Sequence, residues 1–136
     1  MYVDAQILIY TVERHPQYLE ALLPLWQASR DDRLEIITSE LSVLEVITGP
    51  MRKGNQILID AYEEFLTGTE IRLVPIDMQI LGNAARLRAE TSLRTPDAIH
   101  AATAALAGCD TFITNDLAFR LLSSPNVQII KDVVAT

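Results

Sequence analysis

Hydrophobic positions fall into short runs and helical stripes that alternate along the chain. Residues 1–4 form a short apolar run, read as a strand, and residues 5–13 continue as a helix carrying Ile7, Leu8, Ile9 and Tyr10. After His15-Pro16, Leu19, Leu22, Leu23 and Trp26 recur at helical spacing to about Ser29, where the charged stretch 30–33 ends the pattern. Residues 35–38 read as a second strand. Ser39 can cap a helix over 40–48, and Gly49-Pro50 is expected to stop it, one residue being flexible and the other lacking an N–H. Ile57, Leu58, Ala61, Tyr62, Phe65 and Leu66 make an apolar stripe that ends near Gly68, and a strand over 71–76 follows. Asp77 caps a helix ending near Thr91. Thr95-Pro96 opens the next, with the proline at its first position, and Gly108 closes it after an alanine-rich body. A fourth strand over 111–114, a short helix over 117–122 and a last strand over 127–130 complete the pattern. Residues 131–136 are expected to be a loose tail.

Strands alternating with helices predict an α/β fold: a mainly parallel, twisted sheet of four to five strands, covered by helices on both faces and joined by right-handed crossovers. No internal repeat, low-complexity tract or linker interrupts the 136 residues, so a single domain over 1–136 is expected. With 49% hydrophobic and 21% charged residues, the composition excludes intrinsic disorder. No apolar run approaches the roughly 18 to 20 residues of a membrane-spanning helix, and the start lacks a basic segment followed by an apolar one. A cytoplasmic protein with no membrane partner is the expectation. The single cysteine, Cys109, and the two histidines exclude a disulfide framework and a Cys/His zinc cage, so any metal must be held mainly by oxygen.

The formal charge of −7 argues against a general nucleic-acid coat, because phosphates reward Lys and Arg. Clustered acids would change this. Two divalent cations held by four carboxylates add four positive charges and bring the formal −7 to −3, reversing the local field.

In open parallel sheets ligands bind beyond the carboxyl ends of the strands, so acids at strand-to-helix junctions are the candidates. Four qualify. Asp4 ends the first strand and is the only charged side chain among the first twelve residues. Glu45, at i+4 from Leu41 and next to Leu44, is expected on the helix face that should be buried. Asp97 is read at the second position of the alanine-rich helix, and Asp116 follows the strand at 111–114. Asp97 and Asp116 could simply favour helix N-termini through the dipole, at about 0.3 to 1 kcal/mol each, and Glu45 could be a paired buried ion. Taken together, clustered carboxylates repel, so either one binds a proton or a divalent cation resides among them; Mg²⁺ or Mn²⁺ prefers such hard oxygen ligands.

Tyr2-Val3-Asp4 with Ile7-Leu8-Ile9-Tyr10, Thr38-Ser39-Glu40-Leu41 running to Glu45-Val46, Pro96-Asp97-Ala98-Ile99-His100-Ala101-Ala102-Thr103-Ala104, and Phe112-Ile113-Thr114-Asn115-Asp116 resemble, in order, the successive motifs of PIN-domain ribonucleases. The similarity spans nearly the whole chain and is closest to the single-domain VapC-like toxins of prokaryotic toxin–antitoxin pairs. One branch of these has a segment like Thr48-Gly49-Pro50-Met51-Arg52-Lys53-Gly54-Asn55. The resemblance implies a PIN-like three-layer α/β/α fold and a Mg²⁺- or Mn²⁺-dependent endoribonuclease, often dimeric, with Asp4, Glu45, Asp97 and Asp116 as the acidic site. It also implies a cognate antitoxin partner that covers the acidic groove. One departure stands out: family members commonly carry Ser or Thr and then Asn after the first aspartate, where this chain has Ala5 and Gln6. Lost support of this kind can cost 10- to 100-fold in metal affinity or activity.

On this reading Asp4 and Asp97 bind the first metal, while Glu45 and Asp116 complete a second site or orient the water that attacks the RNA phosphodiester. Thr114 and Asn115 are polar neighbours. Arg52, Lys53 and Arg94, with Arg86 and Arg88, are candidates for the remaining substrate phosphates. His100, three residues after Asp97, is expected as a core histidine, with a general acid as the alternative. The stripes near Leu19 to Trp26 and Ile57 to Leu66 could line a groove for the antitoxin, or be core. The alternative function is a PIN-like dimeric protein-binding module whose nuclease is weakened through Ala5 and Gln6. A phosphohydrolase of the haloacid dehalogenase kind is disfavoured because position 6 is Gln, which breaks the D-x-D pair that chemistry needs.

Overall fold

A computed structural model describes residues 1–135. Five strands, β1 (Tyr2–Val3), β2 (Ile37–Ser39), β3 (Arg72–Val74), β4 (Thr111–Thr114) and β5 (Asn126–Ile129), form one sheet in the order β3-β2-β1-β4-β5. Every pairing is parallel, with Tyr2 in register with both Ile37 and Phe112, and Val3 with Ile113. The chain steps outward from β1 through β2 to β3, then returns to the far side of β1 for β4 and β5. The strand order therefore reverses around β1, where a crevice opens beyond the carboxyl ends.

Successive strand side chains point to opposite faces, and the core divides accordingly. Val3, Ile36 and Ile113 join one cluster; Tyr2, Ile37 and Phe112 join the other. The first face is covered by α1 (Ala5–Val12), α2 (Leu19–Arg30), α3 (Leu41–Arg52), α4 (Gln56–Thr67) and α7 (Ile130–Ala135). The second is covered by α5 (Met78–Glu90), α6 (Thr95–Leu106) and a 3₁₀ turn, Leu117–Leu121. Small side chains explain how α6 sits so close to the sheet: Ala98, Ala101, Ala102 and Ala104 are all buried. The α/β architecture with helices on both faces of a five-stranded parallel sheet is the expected one.

Two local expectations are corrected. Gly49-Pro50 does not stop α3, which runs on to Arg52. Pro50 gives up one hydrogen bond, but it lies in the last turn and its ring is buried in the protein, so the loss is small and compensated. The real stop is Gly54, whose φ of +63° suits only glycine comfortably, with Asn55 N–H donating to the Pro50 carbonyl at 2.9 Å. The expected loose tail is α7 as far as the described residues go, leaving Thr136 outside them. Ile130 is buried there, and the Lys131 N–H donates to the Asn115 Oδ1 at 3.1 Å. For the stripes near Leu19 to Trp26 and Ile57 to Leu66 the core alternative is the observed one: Leu22, Trp26, Tyr62 and Leu66 are core.

Candidate active site

At the carboxyl end of the sheet a cavity of about 640 Å³ is lined by Asp4, Glu45, Asp97 and Asp116 together with His100, Asn115 and Tyr10. The topology explains the convergence. Asp4 leaves β1 directly, Asp116 leaves β4 two residues past its end, Glu45 is carried on the helix that follows β2, and Asp97 opens the helix that leads into β4.

Asp4 is the N-cap of α1, its Oδ1 accepting from the Ile7 N–H at 3.3 Å. Its Oδ2 accepts from the Thr114 hydroxyl at 2.5 Å. That hydroxyl in turn accepts from the Asp116 N–H at 3.0 Å, so Thr114 ties the two aspartate-bearing strand ends together. Burial pushes the Asp4 carboxyl up to about 6; the Thr114 hydrogen bond opposes this, and the charge of Glu45 adds to it. Asp97 is also pushed up, first by desolvation and then by the charge of Asp116, with His100 and Arg94 pulling the other way. Asp116 caps the 3₁₀ turn through the Ala118 N–H at 2.9 Å and is exposed.

Glu45 lies differently from the expectation. Leu44 faces solvent, 65% exposed, whereas Val46 and Ile47 fill the core, so the buried stripe of α3 is offset from Leu41 and Leu44. Glu45 sits at the edge of that stripe, half-buried, with its Oε1 2.6 Å from the His100 Nε2. Asp97 occupies the third position of α6 rather than the second, because the helix starts at Thr95 with Arg94 as its N-cap.

The other predicted residues separate. Asn115 borders the cavity, its amide donating to the Tyr10 hydroxyl at 3.0 Å. Arg94 adjoins Asp97 closely enough to lower its pKa. Arg52 and Lys53 do not line the cavity: they lie at the far end of α3, exposed, about two helical turns past Glu45. Arg86 and Arg88 are exposed on α5. Ala5 and Gln6 do form part of the wall. His100 is buried as a core histidine should be, yet both ring nitrogens are engaged, Nδ1 with the Tyr2 hydroxyl at 2.5 Å and Nε2 with Glu45. The sequence reading did not single out Tyr2 as a polar partner of the site. The only available signal was a hydroxyl-bearing ring on a strand whose neighbours are aliphatic.

The donor set consists of hard carboxylate oxygens, two of them on groups whose protonation is favoured by burial and mutual repulsion, a combination that a divalent cation neutralises. In chemistry the residues fit such an ion. As placed, no group of three or more His, Cys, Asp or Glu among the described residues is arranged to hold a metal, so ligation by three carboxylates requires side-chain rotation about these fixed backbone positions.

Comparison with solved structures finds chains of the same fold. A chain of the VapBC2 complex of Rickettsia felis bound to a DNA fragment from its promoter matches at TM-score 0.75 and 17% identity, over 94% of this chain and 96% of that one. A chain of a toxin–antitoxin complex from Klebsiella pneumoniae matches at TM-score 0.73 and 23% identity, over 95% and 96%. A chain of DNA-bound VapBC from Salmonella typhimurium matches at 0.75 and 18%, over 95% and 96%. No curated protein sequence matches. The sequence model of the PIN domain matches residues 1–124, which include β1, α3, α6, β4 and all four acids, and the chain belongs to the PIN domain family.

Proposed function

We propose that this protein is a Mg²⁺- or Mn²⁺-dependent endoribonuclease, the VapC-like toxin of a toxin–antitoxin pair, acting as one PIN-like domain over residues 1–136. PIN domain nucleases generally use divalent metal ions. The observation that carries the reading is the meeting of Asp4, Glu45, Asp97 and Asp116 around one cavity at the strand-order reversal, with Asp4 buried and its carboxyl pushed up to about 6.

Asp4 and Asp97 would hold the first ion; Glu45 and Asp116 would complete a second site or orient the attacking water. A bound divalent cation supplies Lewis acidity, lowering the pKa of a water and neutralising charge that develops on the phosphate. Thr114 fixes Asp4 through its hydroxyl. Arg94, exposed and close enough to Asp97 to act on its charge, would meet a flanking RNA phosphate, while Arg52 and Lys53 would serve only a longer substrate running along α3.

The toxin role and the antitoxin partner are supported by the similarity to chains of VapBC and toxin–antitoxin complexes. Leu44 and Met51 on α3, 65% and 60% exposed, and Ile57 at the start of α4, 86% exposed, leave apolar surface to which antitoxin side chains or a second copy in a homodimer would fit. Incubation of the purified protein with a structured RNA tests the activity. Cleavage that requires Mg²⁺ or Mn²⁺ and disappears with EDTA and with Asp97→Asn is expected; cleavage indifferent to both would contradict the proposal. Ala5 and Gln6 in the cavity wall favour one second reading, a dimeric binding module with weakened catalysis, whose signature is the absence of metal binding together with RNA cleavage that does not respond to mutation of the acids.

A further inference from the structure

Residues 2, 45 and 100 are far apart in the chain and meet in an unbroken hydrogen-bonded line. The Ser39 N–H donates to the Tyr2 phenolic oxygen at 3.1 Å, the Tyr2 hydroxyl lies 2.5 Å from the His100 Nδ1, and the His100 Nε2 lies 2.6 Å from the Glu45 Oε1. Tyr2 is 0% and His100 2% exposed, so water does not complete these bonds. Among the described residues no buried side-chain nitrogen or oxygen is left without a partner.

Directionality follows from donor counting. The Glu45 carboxylate can only accept, so Nε2, 2.6 Å from its Oε1, carries the hydrogen. In a neutral imidazole Nδ1 is then the acceptor, and the Tyr2 hydroxyl, which burial keeps protonated, donates to it at 2.5 Å. The ring is held in this orientation by burial and by the Tyr2 ring, which packs edge-on against it with centroids 5.8 Å apart. The Glu45 Oε2 has no hydrogen-bond partner among the described residues and belongs to a side chain that lines the acidic cavity.

We infer that Tyr2 and His100 are positioning residues for Glu45: the buried phenol sets the Nε2–H tautomer of His100, and that N–H grips one carboxylate oxygen so that the other is presented to a divalent cation in the cavity. The inference rests on the metal-dependent reading above and deepens it by assigning His100 a role other than general acid. Both of its ring nitrogens are already committed within the protein, so it has no nitrogen free to protonate a leaving oxygen. Groups that orient a ligating side chain in this way typically matter 10- to 100-fold for metal affinity.

The test uses the full chain, stripped of metal, in four forms: wild type, Tyr2→Phe, His100→Gln and His100→Ala. Nitrogen-15 NMR of the histidine ring in metal-free protein reads the tautomer directly. His100 of wild type should show a protonated Nε2 and a bare Nδ1, and Tyr2→Phe should mix the tautomers. Calorimetric titration with Mn²⁺ should then show about 10- to 100-fold weaker binding in Tyr2→Phe and His100→Ala, and partial recovery in His100→Gln, whose amide N–H can still reach Glu45. A loss of packing alone would lower thermal stability in these variants without moving the tautomer or favouring Gln over Ala. Tyr2→Phe keeps the ring volume and guards against an unfolded result. A wild-type ring protonated on Nδ1, or unchanged Mn²⁺ affinity in every variant while wild type binds, would overturn the positioning role and leave the nuclease reading standing. A wild type that binds no Mn²⁺ would overturn both.

Discussion

The two ends of the sheet hold similar residues under opposite rules. At the amino end a cavity of about 400 Å³ is lined by Asp32, Glu35 and Glu70 but also by Arg33 and Arg72. There two of the three acids are matched: Arg72 meets Glu35 at 2.5 Å and Arg30 meets Glu70 at 3.4 Å, all four side chains being at least partly exposed. At the carboxyl end four acids line a larger cavity whose wall, among the described residues, holds no Arg or Lys, and Glu45 meets only the His100 Nε2. A paired acid on a surface keeps its usual chemistry. An unpaired acid in a partly buried cluster is driven toward its protonated form, as Asp4 and Asp97 are. Charge imbalance concentrated at one end of a sheet costs folding stability, which a bound cation would recover.

The difference can be broken most sharply at Asp4 and Asp97. Asp4→Asn or Asp97→Asn should reduce Mn²⁺ binding and RNA cleavage by at least about 100-fold, exceeding the 10- to 100-fold typical of residues that only support a ligand; calorimetry and a cleavage assay read both.

The same Asp4→Asn change should make the metal-free fold more stable. The carboxyl is raised from 3.8 to about 6 in the folded protein, so the folded state binds this proton more tightly than the unfolded chain does. Its destabilising effect is therefore absent below about pH 4, grows as pH rises through about 6, and is then constant, with a magnitude of about 3 kcal/mol. Urea unfolding across pH 4 to 8 should show wild type and Asp4→Asn converging at the acid end and diverging above it. Saturating Mn²⁺ should close part of the gap, since a ligand at about 100 times its Kd stabilises by roughly 2.7 kcal/mol.

Thr114→Val acts in the other direction. It removes the donor to Asp4 and the acceptor for the Asp116 N–H, so a loss of about 1 to 3 kcal/mol is expected near neutral pH. The pH-dependent loss of stability from Asp4 should also extend to higher pH and grow in total, because this hydrogen bond holds the Asp4 pKa down. Urea unfolding measures both effects. The smallest effect belongs to the amino end, where Arg72→Ala should change stability by no more than about 1 kcal/mol, as expected for an exposed pair.

How much of this the sequence revealed depends on how local each signal was. Asp4 and Asp116 were legible because a short apolar run ends at each, and Asp97 because a proline and an alanine-rich stretch bracket it. Glu45 was picked out for a partly mistaken reason: it does belong near the buried side of α3, but Leu44, used to place that side, points to solvent. The continuation of α3 through Gly49-Pro50 escaped a local reading because burial of the Pro50 ring, a tertiary effect, outweighs one missing hydrogen bond. The ordering of α7 likewise depends on Asn115, across the sheet edge from it. The line from Tyr2 through His100 to Glu45 was invisible for a simpler reason. Each residue alone has an ordinary place in a core or on a helix, and only the folded topology brings them within hydrogen-bond reach.

On the proposed reading, the four acids at the carboxyl end together bind divalent cations. Calorimetric titration of EDTA-treated wild type and of Asp97→Asn with Mn²⁺ tests it most directly. Saturable binding by wild type that is lost in the variant is the predicted result; the absence of binding in wild type, or equal binding by both, would contradict it.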